Sequence, residues 1–101
     1  MPYEERPHLS KRRAEDDLLR KTALRDPAAL AELHGCFADP VYSLAYKMLQ
    51  NHEEAEEVLQ DVFVRVWKRS VTFDPQKSSA FTWVIMITRG LSLDRLRYRS
   101  R

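Results

Sequence analysis

Apolar residues return along this chain every three or four positions, the period of a helix that packs on one face. The clearest run is Ala55, Val58, Leu59, Val62, Phe63, Val66 and Trp67. Asn51 opens it, and Glu54 three residues on gives the layout of a capping box, with asparagine in place of the usual serine or threonine. Glutamates in the first turns and Lys68 and Arg69 at the end suit the two poles of the helix dipole. Asp61, Val64, Arg65 and Lys68 fall on the other side. An outward valine among charges there suggests a contact surface.

Upstream the pattern is weaker. Residues 1 to 9 hold two prolines and no period, which predicts a frayed tail. The flexible tail is expected over residues 1–13, with the folded domain over 14–101. A helix could open at Ser10, with Ala14, Leu18 and Leu19 as a thin apolar stripe. Lys11, Arg12 and Arg13 would then crowd its first turn, where the dipole disfavours cations, so a start nearer Glu15 is expected. Asp26-Pro27 is a start signal, a capping carboxylate followed by proline at the first helical position. Leu30, Leu33 and Phe37 mark the face of that helix. Asp39-Pro40 predicts a kink or a short break, because proline removes a backbone donor and constrains its predecessor. Val41, Leu44, Ala45, Met48 and Leu49 resume the period, with Tyr42 and Tyr46 on a neighbouring face.

Downstream, 71–78 reads as a loop holding Asp74-Pro75, and Ser78 or Ser79 caps the last helix. Val84, Ile87 and Leu91 give that helix a core stripe, while Phe81, Ile85 and Met86 lie off it. A helix apolar all round is usually buried on several sides, so its first half is expected to be the hub of the bundle. Gly90 sits mid-helix, where it costs about 1 kcal/mol against alanine. That suggests close approach by another backbone or a ligand, or simple tolerance. The fold expected is all-α, a single compact bundle of four to five helices.

Composition agrees with a globular helical domain. The chain has 101 residues, 44% hydrophobic and 32% charged, with only two glycines. Cys36 is the only cysteine, so no intrachain disulfide can form, and a reducing, cytoplasmic setting fits. The first residues are charged and lack an apolar core, so no signal peptide is expected, and no run approaches a membrane span. The net charge of +2 hides an uneven layout. Glu53, Glu54, Glu56, Glu57 and Asp61 form an acidic block, most simply a solvated face. Arg89, Arg95, Arg97, Arg99 and Arg101 crowd the end of the chain against Asp94 alone.

Catalytic and metal chemistry are poorly supported. His8, His34 and His52 lie on different segments, His34 and Cys36 fall on different helix faces, and no glycine-rich phosphate loop occurs. Neither catalytic residues nor a metal or other cofactor is expected. What the residues do carry is a nucleic-acid signal. Phe73, Phe81 and Trp83 stand beside the arginine series, and rings next to guanidinium groups suit unstacked bases and their phosphates. Four phosphate contacts would give a salt slope of about −3 to −4. The helix dipole alone explains one or two C-terminal arginines.

Three stretches carry a family resemblance: DPAALAELHGCFADPVYSLAYKML, then EEAEEVLQDVFVRVWKR, then FDPQKSSAFTWVIMITRGLSLDRLR. From about Leu18 to Arg99 the chain resembles the second region of bacterial RNA polymerase sigma factors, the extracytoplasmic-function group in particular. The resemblance implies two working surfaces on a sigma region-two fold. Gln60, Asp61, Val64, Arg65 and Lys68 would dock on the clamp coiled coil of the polymerase largest subunit, with the Val66/Trp67 side inward. The loop and last helix would bind and melt the minus-ten promoter element by capturing non-template bases. On this chain that implies Phe73, Lys77, Ser79, Phe81, Thr82, Trp83, Arg89, Arg95, Arg97 and Arg99. An anti-sigma partner and a monomeric free state are implied too. The family's fourth region, which reads the minus-thirty-five element, is expected to be absent from this chain. Two positions depart from the pattern: Met86, where many relatives carry a basic residue, and Gly90, where many carry asparagine. Both lie on the base-reading helix and leave the promoter sequence open. A helical adaptor that keeps the docking face but has lost DNA reading is the alternative. An ordinary helix-turn-helix repressor or an unrelated enzyme is a more distant one.

Overall fold

The computed structural model describes residues 7–100. Four helices follow one another: α1 (Pro7–Ala23), α2 (Pro27–Leu49), α3 (His52–Arg69) and α4 (Ala80–Arg99), with a short 3-10 turn (Ser70–Thr72) after α3. No strand occurs among the described residues. Residues 1–6 of the expected tail, and Arg101, lie outside them.

α1 begins at Pro7, two turns ahead of the start expected near Glu15, and takes in residues 7–13 of the expected tail. The earlier start moves Lys11, Arg12 and Arg13 into the second turn, beyond the reach of the dipole penalty. Arg12 pairs with Asp16 four residues on, at 3.6 Å. The inward face of α1 is Glu15, Leu19 and Thr22, while Ala14 of the expected stripe is exposed. Thr22 is buried without cost because its hydroxyl donates to the Leu18 carbonyl at 2.8 Å.

Asp26 caps α2 as expected, accepting from the amides of Ala28 and Ala29 at 3.0 and 3.4 Å. α2 then runs through Pro40 without the short break that was one of the two expected outcomes. Its buried seam is Ala29, Leu33, Phe37, Val41, Ala45 and Leu49, one residue every four. Phe37 and Val41 on either side of Pro40 are almost wholly buried, and their packing outweighs one lost backbone bond. Gln50 ends the helix in the left-handed region, φ 53°, donating its amide to the Tyr46 carbonyl at 2.7 Å. Asn51 caps α3 by accepting from the Glu54 amide at 2.9 Å. Ala55, Val58, Val62, Phe63 and Val66 are the buried part of the α3 stripe, with Leu59 and Trp67 only half-buried.

Every helix meets the other three, but α2 packs most extensively, so the hub is α2 rather than α4. α4 buries Ala80, Val84, Thr88 and Ser92, again one residue every four. Thr88 and Ser92 return their hydroxyls to the carbonyls of Val84 and Thr88, at 2.9 and 2.8 Å. Small side chains on the seam let α4 lie close to its neighbours and push the large ones to the flanks. Ile87 and Leu91, expected in the core, are half-buried. Phe81 is 41% exposed and Met86 64%.

Candidate nucleic-acid interface

The loop between the 3-10 turn and α4 is held by short-range bonds. Asp74 accepts from the Gln76 amide at 2.9 Å, and the Lys77 amide donates to the Asp74 carbonyl at 3.0 Å. Ser79, not Ser78, is the cap of α4, accepting from the Thr82 amide at 3.1 Å. These bonds fix where the aromatics emerge. Phe73 meets Trp83 edge-on, ring centroids 5.8 Å apart, and both rings are half-buried. Phe81 leans edge-on against the buried Phe37 at 5.7 Å. Each ring packs against another aromatic and stays partly exposed. That suits stacking: the packing fixes orientation, and the exposed part can receive a base. Thr82 and Lys77 are exposed beside them, and the Ser79 hydroxyl donates to that of Thr82 at 3.0 Å.

The arginine series does not form one surface. Arg95 turns to α3, where its guanidinium bonds Glu57 at 2.6 Å and Asp61 at 3.4 Å. Arg99 pairs with Glu54 and donates to the Leu49 carbonyl at 3.1 Å. Glu54 therefore reaches across to α4 instead of closing the capping box. Arg97 meets Asp94 at 3.4 Å and stays largely in solvent, and Arg89 is exposed. The acidic block is thus more than a solvated face: three of its members hold α4. Gly90 is exposed, and a Cβ built on it would meet nothing within 4 Å outside its own helix backbone. Close approach by another backbone does not fit, which leaves simple tolerance or room for a ligand.

Gln60, Asp61, Val64, Arg65 and Lys68, expected on one docking face, divide among several surroundings. Gln60 and Val64 line an apolar groove between α2 and α3 with Pro27, Leu30, His34, Leu59, Phe63 and Trp67. Val64 is 52% exposed. Trp67 opens onto this groove, unlike the wholly buried Val66 with which it was expected to face inward. Arg25 covers the indole at 5.2 Å and donates to the Trp67 carbonyl. His34 lies 4.8 Å from the Phe63 ring. Arg65 belongs to a second groove, between α3 and α4, with Arg69, Trp83, Met86 and Gly90. Asp61 sits at the Arg95 pair, and Lys68 is exposed. Sequence reasoning missed Leu30, His34, Leu59 and Phe63 as groove residues. The helical period marks Leu30, Leu59 and Phe63 as apolar-face residues but does not say which edge of that face stays open, and nothing in it points to His34.

Among the described residues, titrating groups at three positions are displaced. Burial raises Glu15, partly offset by Lys11 and reinforced by Asp16. The hydrogen bond from Arg20 lowers Asp17. Burial and the Glu56 charge raise Tyr42, whose hydroxyl meets His52 Nδ1 in a small stack with Tyr46. Among the described residues no group of three His, Cys, Asp or Glu could hold a metal, and no helix is long and apolar enough to cross a membrane.

Four helices among the described residues thus carry an aromatic loop ahead of the last and an apolar groove beside the third. A profile of the family described as Sigma-70 region 2 matches residues 33–101, and the chain belongs to that family. It is also 34% identical over 82 residues to the ECF RNA polymerase sigma factor SigK of Mycobacterium bovis (strain BCG / Pasteur 1173P2). That match covers 81% of this chain and 44% of the relative. The protein of that name from Mycolicibacterium vanbaalenii is 34% identical over the same length, covering 81% and 42%. The domain is therefore a region two of the extracytoplasmic-function type. It spans less than half the length of these curated relatives.

Proposed function

We propose that this domain serves transcription initiation as a binding factor: it docks on the clamp of the RNA polymerase largest subunit and captures non-template bases of the minus-ten element. The observation that carries the reading is the placement of Phe73, Phe81 and Trp83, each packed edge-on against another ring and partly exposed. Flipping a base costs a few kcal/mol, and stacking on an aromatic returns about 1 to 3 kcal/mol per base. Phosphate contacts from Lys77, Arg89 and Arg97 supply the remainder, so opening needs no nucleotide hydrolysis by this domain. On the docking side, Gln60 and Val64 present an apolar groove to a helical partner. Work inside the cell as a monomer, and control by an anti-sigma factor, belong to the same reading.

The test compares a labelled single strand with the same sequence as duplex, alongside co-purification of a clamp fragment. Preference for the single strand with clamp capture is the expected result. Equal binding of both forms, with no clamp capture, overturns the proposal. One observation favours the adaptor reading: Arg95 and Arg99 are committed to α3 carboxylates. Tight polymerase binding with no strand preference would decide for it.

A further inference from the structure

The loop that offers Phe73, Lys77 and Ser79 is held from outside by α1. Asp16 Oδ1 accepts from the Ala80 amide at 2.6 Å, across 64 residues of chain. The Ala80 amide is one of the donors that α4 leaves unpaired at its start, and the Ser79 hydroxyl is already taken by Thr82. On its other oxygen Asp16 meets Arg12 at 3.6 Å, and Arg12 donates a second bond to the Pro75 carbonyl at 3.3 Å. One bond falls near the start of the loop and the other where it enters α4. The Asp16 side chain is only 17% exposed, so the cap is shielded from competing water.

We infer that Arg12 and Asp16 form a bracket that sets the loop for strand capture, making them positioning residues for base recognition. The inference rests on the reading proposed above. The physical argument is preorganisation. A free loop must lose backbone freedom when a base docks, whereas a bracketed loop has lost it already, and the saving appears as affinity. The bracket also couples the amino-terminal helix to the nucleic-acid face without touching nucleic acid itself.

Charge makes the inference separable from a generic electrostatic effect. Removing a carboxylate beside a strand-binding face should, by Coulomb attraction alone, strengthen binding to phosphates. The bracket demands the opposite sign. Binding of a short fluorescein-labelled AT-rich single strand to the full chain is measured for the wild type, Asp16→Ala and Asp16→Asn. Circular dichroism and clamp-fragment binding serve as controls for each. Asp16→Ala is expected to weaken the single strand about tenfold, and Asp16→Asn, which keeps an acceptor for the Ala80 amide, about threefold. Clamp-fragment binding through the α2/α3 groove should not move. In a double-mutant cycle with Arg12→Ala the two losses should be less than additive, since both release the same loop. Unchanged or tighter single-strand binding by folded Asp16→Ala or Asp16→Asn overturns the bracket while leaving the proposed function standing. A wild-type chain with no preference for single over double strands overturns both.

Discussion

The two halves of α4 solve different problems with similar material. The first half, with its loop, satisfies its polar groups through Ser79 and through Asp16 of α1, and leaves aromatic faces open. The second half carries more positive charge but commits much of it. Arg95 is held by Glu57 and Asp61, and Arg99 by Glu54 and the Leu49 carbonyl. A basic sequence is therefore not the same thing as a basic surface. The potential a partner feels is what remains after neighbouring helices have claimed their share. The same pairing brings Asp61, expected to face polymerase, into contact with Arg95, expected to face DNA.

The contrast can be broken most severely at Phe37. This ring is almost wholly buried and backs Phe81, so Phe37→Ala should cost about 3 to 5 kcal/mol in chemical denaturation. It should also weaken single-strand binding beyond what the lost stability explains, because Phe81 loses its support. Trp83→Ala comes next. If the first half of α4 does the stacking, single-strand affinity should fall by about 1 to 3 kcal/mol in fluorescence titrations while helical content is kept. Should the loss track unfolding in circular dichroism instead, the indole is a packing residue and the contrast between the halves fails.

The second half is sharpened by comparing arginines with unlike surroundings. Arg97→Ala should lower the salt slope of DNA binding by about 1, and Arg95→Ala by clearly less, since its charge is already matched. Conversely, Glu57→Gln with Asp61→Asn should release Arg95 and steepen the slope. The accompanying stability change should stay within about 1 kcal/mol, as for other exposed pairs. Equal slopes for Arg95→Ala and Arg97→Ala would show that the α3 pairing does not hold in solution.

The smallest effect is expected at Glu15. Its carboxyl is raised by burial, so the folded chain holds that proton more tightly than the unfolded one. Its contribution to stability is therefore fully present below the ordinary glutamate range and is lost as pH rises through the raised value. Glu15→Gln should gain a few tenths of a kcal/mol over wild type at neutral pH, and the gain should vanish in acid. Thermal melts at the two pH values check the sign.

Helix content, the caps at Asp26, Asn51 and Ser79 and the sigma region-two resemblance were all legible in the residues. The helices and caps depend on groups within about four positions of one another, where backbone geometry leaves little choice, and the resemblance on the order of three long stretches. The early start of α1, the unbroken helix through Pro40 and the hub at α2 were not. Those follow from which seam is buried. Pro40 survives inside α2 because Phe37 and Val41 are anchored on either side, and no local rule carries that information. Trp67 has the spacing of a core residue, yet sits at the rim of a groove under Arg25.

What the sequence determined by itself, then, is most of the helix content, because capping and periodicity are short-range chemistry, and the family resemblance, which three long stretches carry together. What the tertiary structure alone decided is which charges stay available and which rings stay open. The Arg95–Glu57 pair joins residues 38 apart and the Asp16–Ala80 bond residues 64 apart. Such partners are chosen by packing: each apolar seam, once buried, sets the rotation of its helix and thereby aims every charge on its flanks.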